Sequence, residues 1–362
     1  MEDTSRNAAL LDRAGGVRRG ETIDSARLLT FLETRIPNLG GEITIRQYPS
    51  GYSNLTYLVE SRDRSLVLRR PPIGAQVKKG HDMGREYRVL KAVHSAFPRC
   101  PAPLVYCEDP EVIGAPFLVM EKMTGLILRK DLPQGLTLSP LEARHLCESM
   151  VSTLVDIHAV DVEGQGLDFI GRPRGYVQRQ VTGWCERYRR ARTPDAPDCE
   201  AAMAWLTENM PPDTESPTLV HNDYKFDNLV LDPAAPQSIT GVLDWEMTTW
   251  GDPLMDLGNS LAYWVQADDP PEIQAMRTLP THLPGMMTRA EVLAAYEAAS
   301  GRSTRDFDFY YGFGLFRLAV IAQQIYYRFY HKITDNPRFG ALIFGVLGLE
   351  QTLNRLMESS KK

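Results

Sequence analysis

The sequence predicts an α+β protein in which a small antiparallel β-sheet lobe precedes a larger, mainly helical lobe. Between residues 43 and 121, apolar residues alternate with a period of two in short segments that end at turn signals. Beyond residue 124, apolar residues recur mostly with the helical period. The chain has 362 residues, and at roughly 150 residues per domain this length allows two cores.

The first lobe is predicted to cover residues 25–121, after a flexible polar tail at 1–24. A short amphipathic helix is expected from Ser25 to about Pro37. Strands are predicted at 43–48, 54–60, 65–70, 103–107 and 116–121, with a helix at about 81–96. Because one helix follows the third of five short strands, the lobe is expected to be a sheet with helical cover.

The second lobe is predicted to cover residues 122–362. Ser139 followed by Pro140 has the chemistry of a helix start, since Ser caps free N–H groups and Pro fits the first helical position. Further helices are expected at about 173–193, 197–209, 253–266, 288–300, 304–331 and 337–358. One β-rich segment, at 218–244, interrupts them.

The composition is that of an ordinary folded protein, with 43% hydrophobic and 24% charged residues. Its 46 acidic and 40 basic residues give a formal charge of -6, which disfavours nucleic acid as a partner. The five cysteines form no CxxC pair, so reduced thiols are expected. No signal-peptide pattern opens the sequence, and its longest clean apolar run, at 341–349, is too short to span a membrane. We expect a cytoplasmic protein with no membrane partner.

The strongest chemical signal is a polar loop, His221 to Asn228, between two apolar segments. Asp223 and Asn228 lie five residues apart, and Asp244 ends the next predicted strand. Phosphoryl transfer needs one carboxylate at the attacking hydroxyl, and an amide oxygen with a second carboxylate can hold Mg²⁺. The alternative is a plain turn between strands, since HxDxxxxN is a short pattern; the position of Asp244 favours the catalytic interpretation.

These segments resemble the catalytic and metal-binding loops of the aminoglycoside-phosphotransferase-like family, small-molecule kinases related to protein kinases. Other segments resemble the family in the expected order from about residue 48 to 258: a hairpin at 50–57, a strand at 67–72, a helix at 85–87, a hinge at 117–121 and a supporting segment at 251–257. The Leu-Arg-Arg-Pro-Pro and Asp-Trp-Glu-Met sequences most resemble the kinase-like domain fused to certain acyl-CoA dehydrogenases.

The resemblance implies a two-lobed protein-kinase-like fold that binds ATP and Mg²⁺. Arg69 takes the place of the family's usual lysine at the phosphates, although Arg70 remains an alternative. Glu86 is expected to pair with that base, unless it lies on a solvated helix face. The other implied nucleotide contacts are Gly51, Ser53, Asn54, Glu121 and Met123.

In the catalytic loop, the resemblance implies that Asp223 is the catalytic carboxylate and that Asn228 and Asp244 bind Mg²⁺. His221 and Asp256 are expected to support the loop, although Asp256 also suits a helix N-terminus. Only seven residues separate Asp244 from Asp252, which leaves no room for a peptide-docking segment. A small-molecule hydroxyl acceptor is therefore expected.

The stretch from residue 171 to 192 contains seven arginines and one acidic residue. Arg179, Trp184 and Arg187 are candidates for binding an anionic acceptor, such as a hydroxy acid or hydroxyacyl compound. The alternative for this stretch is a solvated helix face. Two other functions stay open: a catalytically inactive nucleotide-binding scaffold, and an aminoglycoside kinase, which an arginine-rich pocket disfavours because aminoglycosides are cations.

Overall fold

The computed structural model describes residues 13–49, 54–72 and 82–360. The chain divides into two compact units. The first, here called the sheet unit, comprises Met1–Ile127, Glu163–Leu167 and Asn228–Thr248. The second, the helical unit, comprises Leu128–Val162, Asp168–Asp227 and Thr249–Lys362. The units differ from the predicted ranges mainly because residues 228–248 belong with the sheet.

Within the described residues, five antiparallel strands form one sheet in the order β1-β2-β3-β5-β4. The strands are β1 (Thr44–Gln47), β2 (Leu55–Glu60), β3 (Ser65–Arg70), β4 (Pro103–Cys107) and β5 (Phe117–Glu121). The placement of β5 between β3 and β4 puts the end of β3, which carries Arg69, in the middle of the sheet. This sheet and the helical unit confirm the predicted α+β, kinase-like fold class.

Within the described residues, two α-helices belong to the sheet unit. The first, α1 (Ser25–Glu33), begins at Asp24, whose side chain accepts the N–H groups of Ala26 and Arg27. It buries Leu28 and Leu32 in the same apolar cluster as the sheet residues Tyr57, Val59 and Leu68. The second, α2 (Met83–Ala96), begins at Asp82 and buries its first-turn carboxylate, Glu86.

The predicted flexible tail at 1–24 is wrong for its described part, residues 13–24. Gly15 pairs with Gln47 of β1 through two backbone hydrogen bonds. The Glu21 carbonyl accepts hydrogen bonds from Tyr57 and Arg70 at 2.8 and 3.0 Å. Polar composition alone suggested a tail, but these bonds fasten the segment to the sheet. Residues 1–12 lie outside the described part.

A hairpin of β7 (Leu229–Leu231) and β8 (Ile239–Val242) also belongs to the sheet unit. Leu126 and Leu231 exchange backbone hydrogen bonds of 2.9 and 2.8 Å, which join the hairpin to the residues after β5. Gly125 permits this approach, because a Cβ atom there would lie 2.4 Å from the Leu231 carbonyl oxygen. The close backbone contact therefore fixes the hairpin that carries Asn228 and Asp244 at its end.

The helical unit contains α3 (Pro140–His158), α4 (Tyr176–Ala191), α5 (Glu200–Glu208), α6 (Pro253–Ala262), α7 (Pro271–Ala275), α8 (Arg289–Ser300), α9 (Asp308–Tyr330) and α10 (Leu342–Ser359). It also contains β6 (Thr218–Val220), which pairs with β9 (Thr249–Gly251). The predicted start of α3 is confirmed: Ser139 and Glu142 form a capping box. The short α7 was not predicted, since five residues are too few to show a helical period.

All five cysteines are buried and none is in a disulfide. Burial raises the pKa of the Cys147 thiol to about 11, which favours the protonated form. No helix within residues 13–49, 54–72 and 82–360 is long and apolar enough to cross a membrane.

Candidate active site

The end of the β7–β8 hairpin brings together the two predicted Mg²⁺ ligands. The Leu243 N–H donates to the Asn228 carbonyl at 2.8 Å, so Asn228 lies across from the residue that precedes Asp244. Asp244 has a φ of 68°, in the left-handed region that L-residues seldom adopt. Such backbone strain is concentrated at functional sites. The hairpin therefore holds one amide side chain and one carboxylate at the same end.

Arg69 lies among three carboxylates of the sheet unit. Its guanidinium forms ion pairs with Glu86, with Asp244 at 3.2 Å and with Glu246 at 2.9 Å. The Arg69 and Glu86 side chains are only 11% and 2% exposed. We call Arg69, Glu86, Asp244 and Glu246 the carboxylate cluster; its formal charge is negative, because three carboxylates surround one cation.

The electrostatics of the carboxylate cluster follow from its burial. Burial disfavours the Arg69 cation, but the three carboxylates together raise its pKa above the ordinary value. Burial raises the pKa of Glu86, and Arg69 opposes this effect. Within the described residues, Glu86 Oε2 and Arg69 Nε are buried without a hydrogen-bond partner. The cluster thus keeps Arg69 charged, and these two buried atoms can each form a further hydrogen bond.

The position of Glu246 depends on two further side chains. Asn54 donates to Glu246 Oε2 at 2.6 Å. Arg85 donates to the Glu246 carbonyl at 2.9 Å and to that of Thr248. The short 3₁₀ helix Trp245–Met247, which follows Asp244, is therefore held by the residue before β2 and by a residue of α2. Asn54 was predicted to approach phosphate through its backbone; its side chain has this structural contact instead, and the phosphate role stays a prediction.

Strand alternation separates the contacts of Arg69 and Arg70, and which of the two contacts phosphate stays a prediction. Arg70 is 3% exposed and faces the opposite side of the sheet. Its guanidinium donates to the carbonyls of Ile113 and Glu21 and to the Tyr57 hydroxyl. Arg70 is therefore engaged in the packing of the sheet unit, whereas Arg69 contacts Glu86 and Asp244.

The other predicted nucleotide contacts have different outcomes. Gly51 and Ser53 lie outside the described residues. Glu121 is exposed, and its carboxylate pairs with Arg64 at 2.9 Å. The Met123 side chain packs over Gly241, where a Cβ atom would lie 2.4 Å from Met123 Cε. The predicted adenine contacts of Glu121 and Met123 remain predictions.

In the helical unit, Asp256 holds the catalytic loop by its backbone. The N–H groups of His221 and Asn222 each donate to one of its carboxylate oxygens at 2.7 Å. Asp256 is fully buried, and His158 lies 3.2 Å from its Oδ2 atom. Asn222 has a φ of 65°, which turns the loop just before Asp223. Asp256 therefore anchors the backbone of this loop, and its supporting role in the reaction stays a prediction.

The buried side chain of His221 also contacts the backbone of the catalytic loop. It is fully buried, and the Asp223 N–H donates to its Nδ1 atom at 3.2 Å. A ring nitrogen that accepts a hydrogen bond from the backbone carries no proton at that atom. This arrangement suits the supporting role predicted for His221.

Asp223 is partly exposed and has a cation beside it. Lys225 Nζ lies 2.6 Å from Asp223 Oδ2 and 3.2 Å from Asp227 Oδ1. Burial lowers the pKa of Lys225, but the Asp223 and Asp227 carboxylates outweigh burial and raise it. The ring of Tyr263 lies 5.5 Å from the ammonium group. Asp223 therefore faces a lysine that stays protonated at neutral pH.

The three predicted acceptor-binding residues all lie on α4. Arg179 is exposed, and its guanidinium donates to the backbone carbonyls of Arg172 and Arg174, so the geometry gives it a local structural contact. Trp184 is buried, and the Arg187 guanidinium lies 4.6 Å from its ring centre. The acceptor roles of Arg179, Trp184 and Arg187 stay predictions.

Sequence reasoning missed three residues: Glu246, which joins the carboxylate cluster, Lys225, which pairs with Asp223, and Arg317, which donates to the Asn222 carbonyl. Each signal was present but weak. Glu246 is two residues after Asp244, and Lys225 is two residues after Asp223. Charged residues at this spacing are common on exposed loops, so only the fold shows that Glu246 pairs with Arg69 and that Lys225 pairs with Asp223. Arg317 lies in an apolar helix, where its position gave no indication of its partner.

The donor set suits Mg²⁺. Mg²⁺ prefers oxygen ligands and is usually held by one or two carboxylates while it keeps several waters. Asn228 and Asp244 supply an amide and a carboxylate at one hairpin end, and a divalent cation would offset the negative charge of the carboxylate cluster. Within the described residues, no three His, Cys, Asp or Glu side chains form a metal-binding group. The arrangement fits a magnesium ion shared with phosphate better than an all-protein metal cage.

The fold is that of a kinase-like phosphotransferase. The family model described as "Phosphotransferase enzyme family" matches residues 44–308. The chain belongs to this family.

Among the relatives, acyl-CoA dehydrogenase family member 11 of Rattus norvegicus is 33% identical over 312 residues, which are 84% of this chain and 40% of that protein. The chain spans less than half the length of the curated relatives that it matches first. Their dehydrogenase names therefore describe proteins with much sequence outside the matched region.

Two solved structures share the fold of this chain. A protein from Ralstonia eutropha JMP134, proposed to be an aminoglycoside phosphotransferase, superposes with a TM-score of 0.78 and 28% identity, over 93% of this chain and 99% of that one. The GDP complex of aminoglycoside 2'-phosphotransferase-IIIa superposes with a TM-score of 0.57 and 16% identity, over 91% and 98%. At this identity the second comparison shows the fold alone, in a protein that was solved with a nucleotide bound.

Proposed function

We propose that the protein transfers the γ-phosphoryl group of ATP to a hydroxyl group of a small molecule. The observation that carries the proposal is the end of the β7–β8 hairpin, where Asn228 and a conformationally strained Asp244 lie together and Asp244 contacts Arg69. Membership of the phosphotransferase family supports the reaction class.

The reaction breaks the bond between the γ-phosphorus and the oxygen that bridges it to the β-phosphate. A new bond forms between the phosphorus and the acceptor oxygen, the acceptor proton passes to the Asp223 carboxylate, and ADP leaves. Because the transition state is loose, positioning and charge neutralisation supply most of the rate. Asp223 can orient the acceptor hydroxyl because the buried side chains of His221 and Asp256 hold the backbone of its loop in place.

The charges of the carboxylate cluster and of the Asp223–Lys225 pair have different roles in this proposal. Arg69 supplies a permanent positive charge for the phosphates, and a guanidinium can grip phosphate through two N–H groups. Asn228 and Asp244 would hold Mg²⁺, which neutralises phosphate charge when bound. Lys225 keeps a cation next to Asp223, where the negative charge of the reacting groups gathers.

We propose an anionic hydroxy acid or hydroxyacyl compound as the acceptor. Support comes from the arginines of α4 and from relatives whose names include acyl-CoA dehydrogenase. A cationic aminoglycoside would meet like charge near these arginines, which costs several kcal/mol.

Turnover of wild-type protein beside Asp223→Asn tests the function. We measure ADP release with ATP and Mg²⁺ over a panel of hydroxy acids, hydroxyacyl thioesters, neutral alcohols and aminoglycosides. The substitution removes the proton acceptor and should lower kcat by about a hundredfold or more while nucleotide affinity is largely kept. The matched control is Asp335→Asn, which makes the same change at an exposed carboxylate.

Three outcomes would contradict the proposal in different ways. Nucleotide binding without turnover on any acceptor would favour an inactive scaffold. Turnover of aminoglycosides but of no hydroxy acid or hydroxyacyl thioester would overturn the acceptor class. A kcat for Asp223→Asn equal to that of Asp335→Asn would remove Asp223 from the reaction.

A further inference from the structure

Two guanidinium groups lie over the indole ring of Trp184, in α4. Arg187 of the same helix lies 4.6 Å from the ring centre, and Arg317 of α9 lies 5.2 Å from it. Both distances are within the range of cation–π attraction. Trp184 is 7% exposed and Arg317 is 5% exposed, so the ring and one cation are buried, while Arg187 is exposed. We call these three residues the arginine–tryptophan group.

The charges of this group are not balanced. Within the described part of the chain, neither Arg187 nor Arg317 forms an ion pair with a carboxylate. Other arginines of the helical unit do: Arg189 pairs with Glu200 at 2.6 Å, and Arg289 pairs with Asp269 at 2.7 Å. Burial, with Arg190 and Arg317 nearby, lowers the pKa of Arg187, which means that its environment disfavours further positive charge. A bound anion would relieve this repulsion.

The group is joined to the catalytic loop. Arg317 Nη2 donates to the Asn222 carbonyl at 2.7 Å, and Asn222 immediately precedes Asp223. A guanidinium has five N–H donors, and this is the one hydrogen bond that Arg317 makes to the described residues. Its remaining donors are therefore available beside the loop that carries the proposed catalytic carboxylate.

We propose that Arg187 and Arg317, over the ring of Trp184, form the subsite that binds an anionic group of the acceptor. The inference rests on the proposed function and locates the anionic end of the acceptor. An acceptor whose carboxylate or phosphate lies at this subsite presents its hydroxyl to Asp223. Two guanidinium groups suit a planar carboxylate or a phosphate through paired N–H bonds. The apolar ring beside them suits the chain that connects the anionic group to the hydroxyl.

Direct binding tests the subsite without relying on turnover. By calorimetry, we titrate wild-type protein with linear hydroxy acids of about four to ten carbons, with the primary amides of the same acids and with hydroxyalkyl phosphates. The acid should bind at least about tenfold more tightly than its amide, because only the acid offers a charge-assisted hydrogen bond. The phosphate arm shows which of the two anions is preferred.

Arg187→Gln is the diagnostic variant, because Arg187 is exposed and its loss leaves the core intact. We expect its affinity for the preferred anion to fall about ten- to a hundredfold, with amide binding unchanged. Arg190→Gln is the matched control, since the Arg190 guanidinium donates to the Glu186 carbonyl of its own helix at 3.3 Å. The control should stay within about twofold of wild type.

The results separate this inference from the proposed function. Equal binding of acid, phosphate and amide by wild type, or no binding of any of them, overturns the subsite. An equal loss in Arg187→Gln and Arg190→Gln also overturns it, because a diffuse positive field would then explain the preference. If anion binding depends on Arg187 but no acceptor is phosphorylated, the subsite stands and the proposed function fails.

Discussion

Arg69 shows how much the chemistry of the sheet unit depends on a single side chain. It is the cation that Glu86, Asp244 and Glu246 share, and it is nearly buried. A buried ion pair adds little stability compared with an apolar pair of the same size, but removal of one partner is costly because the other is left as an uncompensated charge. Arg69 therefore has a large effect on stability whether or not nucleotide is bound.

Arg69→Met should lower the free energy of unfolding by about 3–5 kcal/mol, because Glu86 is left buried without its cation. Urea denaturation at pH 7 measures the change. The control is Arg64→Met, which removes an arginine from the exposed pair with Glu121 and should cost no more than about 1 kcal/mol. The explanation fails if the two variants lose similar stability.

The double variant Arg69→Met with Glu86→Gln sharpens this test. Loss of the buried charge should restore part of the stability, so the two changes together should cost less than the sum of each alone. An additive cost would show that the two side chains act independently.

At the scale of elements, two close contacts set the positions of the site residues: Gly125 against the β7–β8 hairpin, and Asp256 of α6 against the catalytic loop. Each contact joins one element to the backbone of another. The hairpin contact needs a residue with no side chain, and the loop contact needs two acceptor oxygens.

Gly125→Ala should destabilise the protein, since its Cβ would lie 2.4 Å from the Leu231 carbonyl oxygen and the hairpin would have to move. Overpacking of this kind typically costs about 1–3 kcal/mol. Gly183→Ala is the matched control within α4, where the nearest atom is 3.7 Å away. Alanine is favoured over glycine inside a helix by roughly 0.5–1 kcal/mol, so the control should be stabilised. Thermal melting distinguishes the opposite signs.

Asp256→Asn should lower the free energy of unfolding by about 1–3 kcal/mol at pH 7, because one of the two loop N–H groups loses its acceptor. Burial opposes ionisation of Asp256, but hydrogen bonding and charge from His158, with His221 and its backbone N–H, hold the Asp256 pKa below its ordinary 3.8. A carboxyl group of this kind contributes stability above its unfolded pKa, and that contribution disappears as pH falls through the folded value.

The stability difference between wild type and Asp256→Asn should therefore be constant near neutral pH and shrink below about pH 4. Denaturation at a series of pH values tests this. A difference that grows as the solution becomes more acidic would contradict the assignment. As a positioning residue, Asp256 should also affect kcat more than the KM for ATP.

At the scale of the whole molecule, ligand binding should be visible as added stability. A ligand that binds only the folded protein stabilises it by about 2.7 kcal/mol when present at a hundred times its Kd. A non-hydrolysable ATP analogue with Mg²⁺ should raise the Tm of wild type and of Asp223→Asn alike. EDTA should reduce the rise, since Asn228 and Asp244 then have no cation to share with the phosphates. An equal rise with and without Mg²⁺ would count against the metal site.

Much of the fold was available from local sequence. The strand at 65–70 has the bounds that were predicted, because its turn signals and alternating pattern act within a few residues. The start of α3 followed from Ser139 and Pro140 for the same reason. The segment at 13–24 was misjudged, since its polar residues bind a strand more than twenty residues away in sequence.

The sequence by itself determined the α+β class, the order of the elements and the residue types of a phosphotransferase, because periodicity, caps and motif spacing are local properties of a chain. The tertiary structure decided which charges meet. It placed Arg69 rather than Arg70 beside Glu86, brought Glu246 to Arg69 and set Arg317 against Asn222. Those contacts join residues up to 177 positions apart; they depend on packing and burial, which no short window of sequence contains.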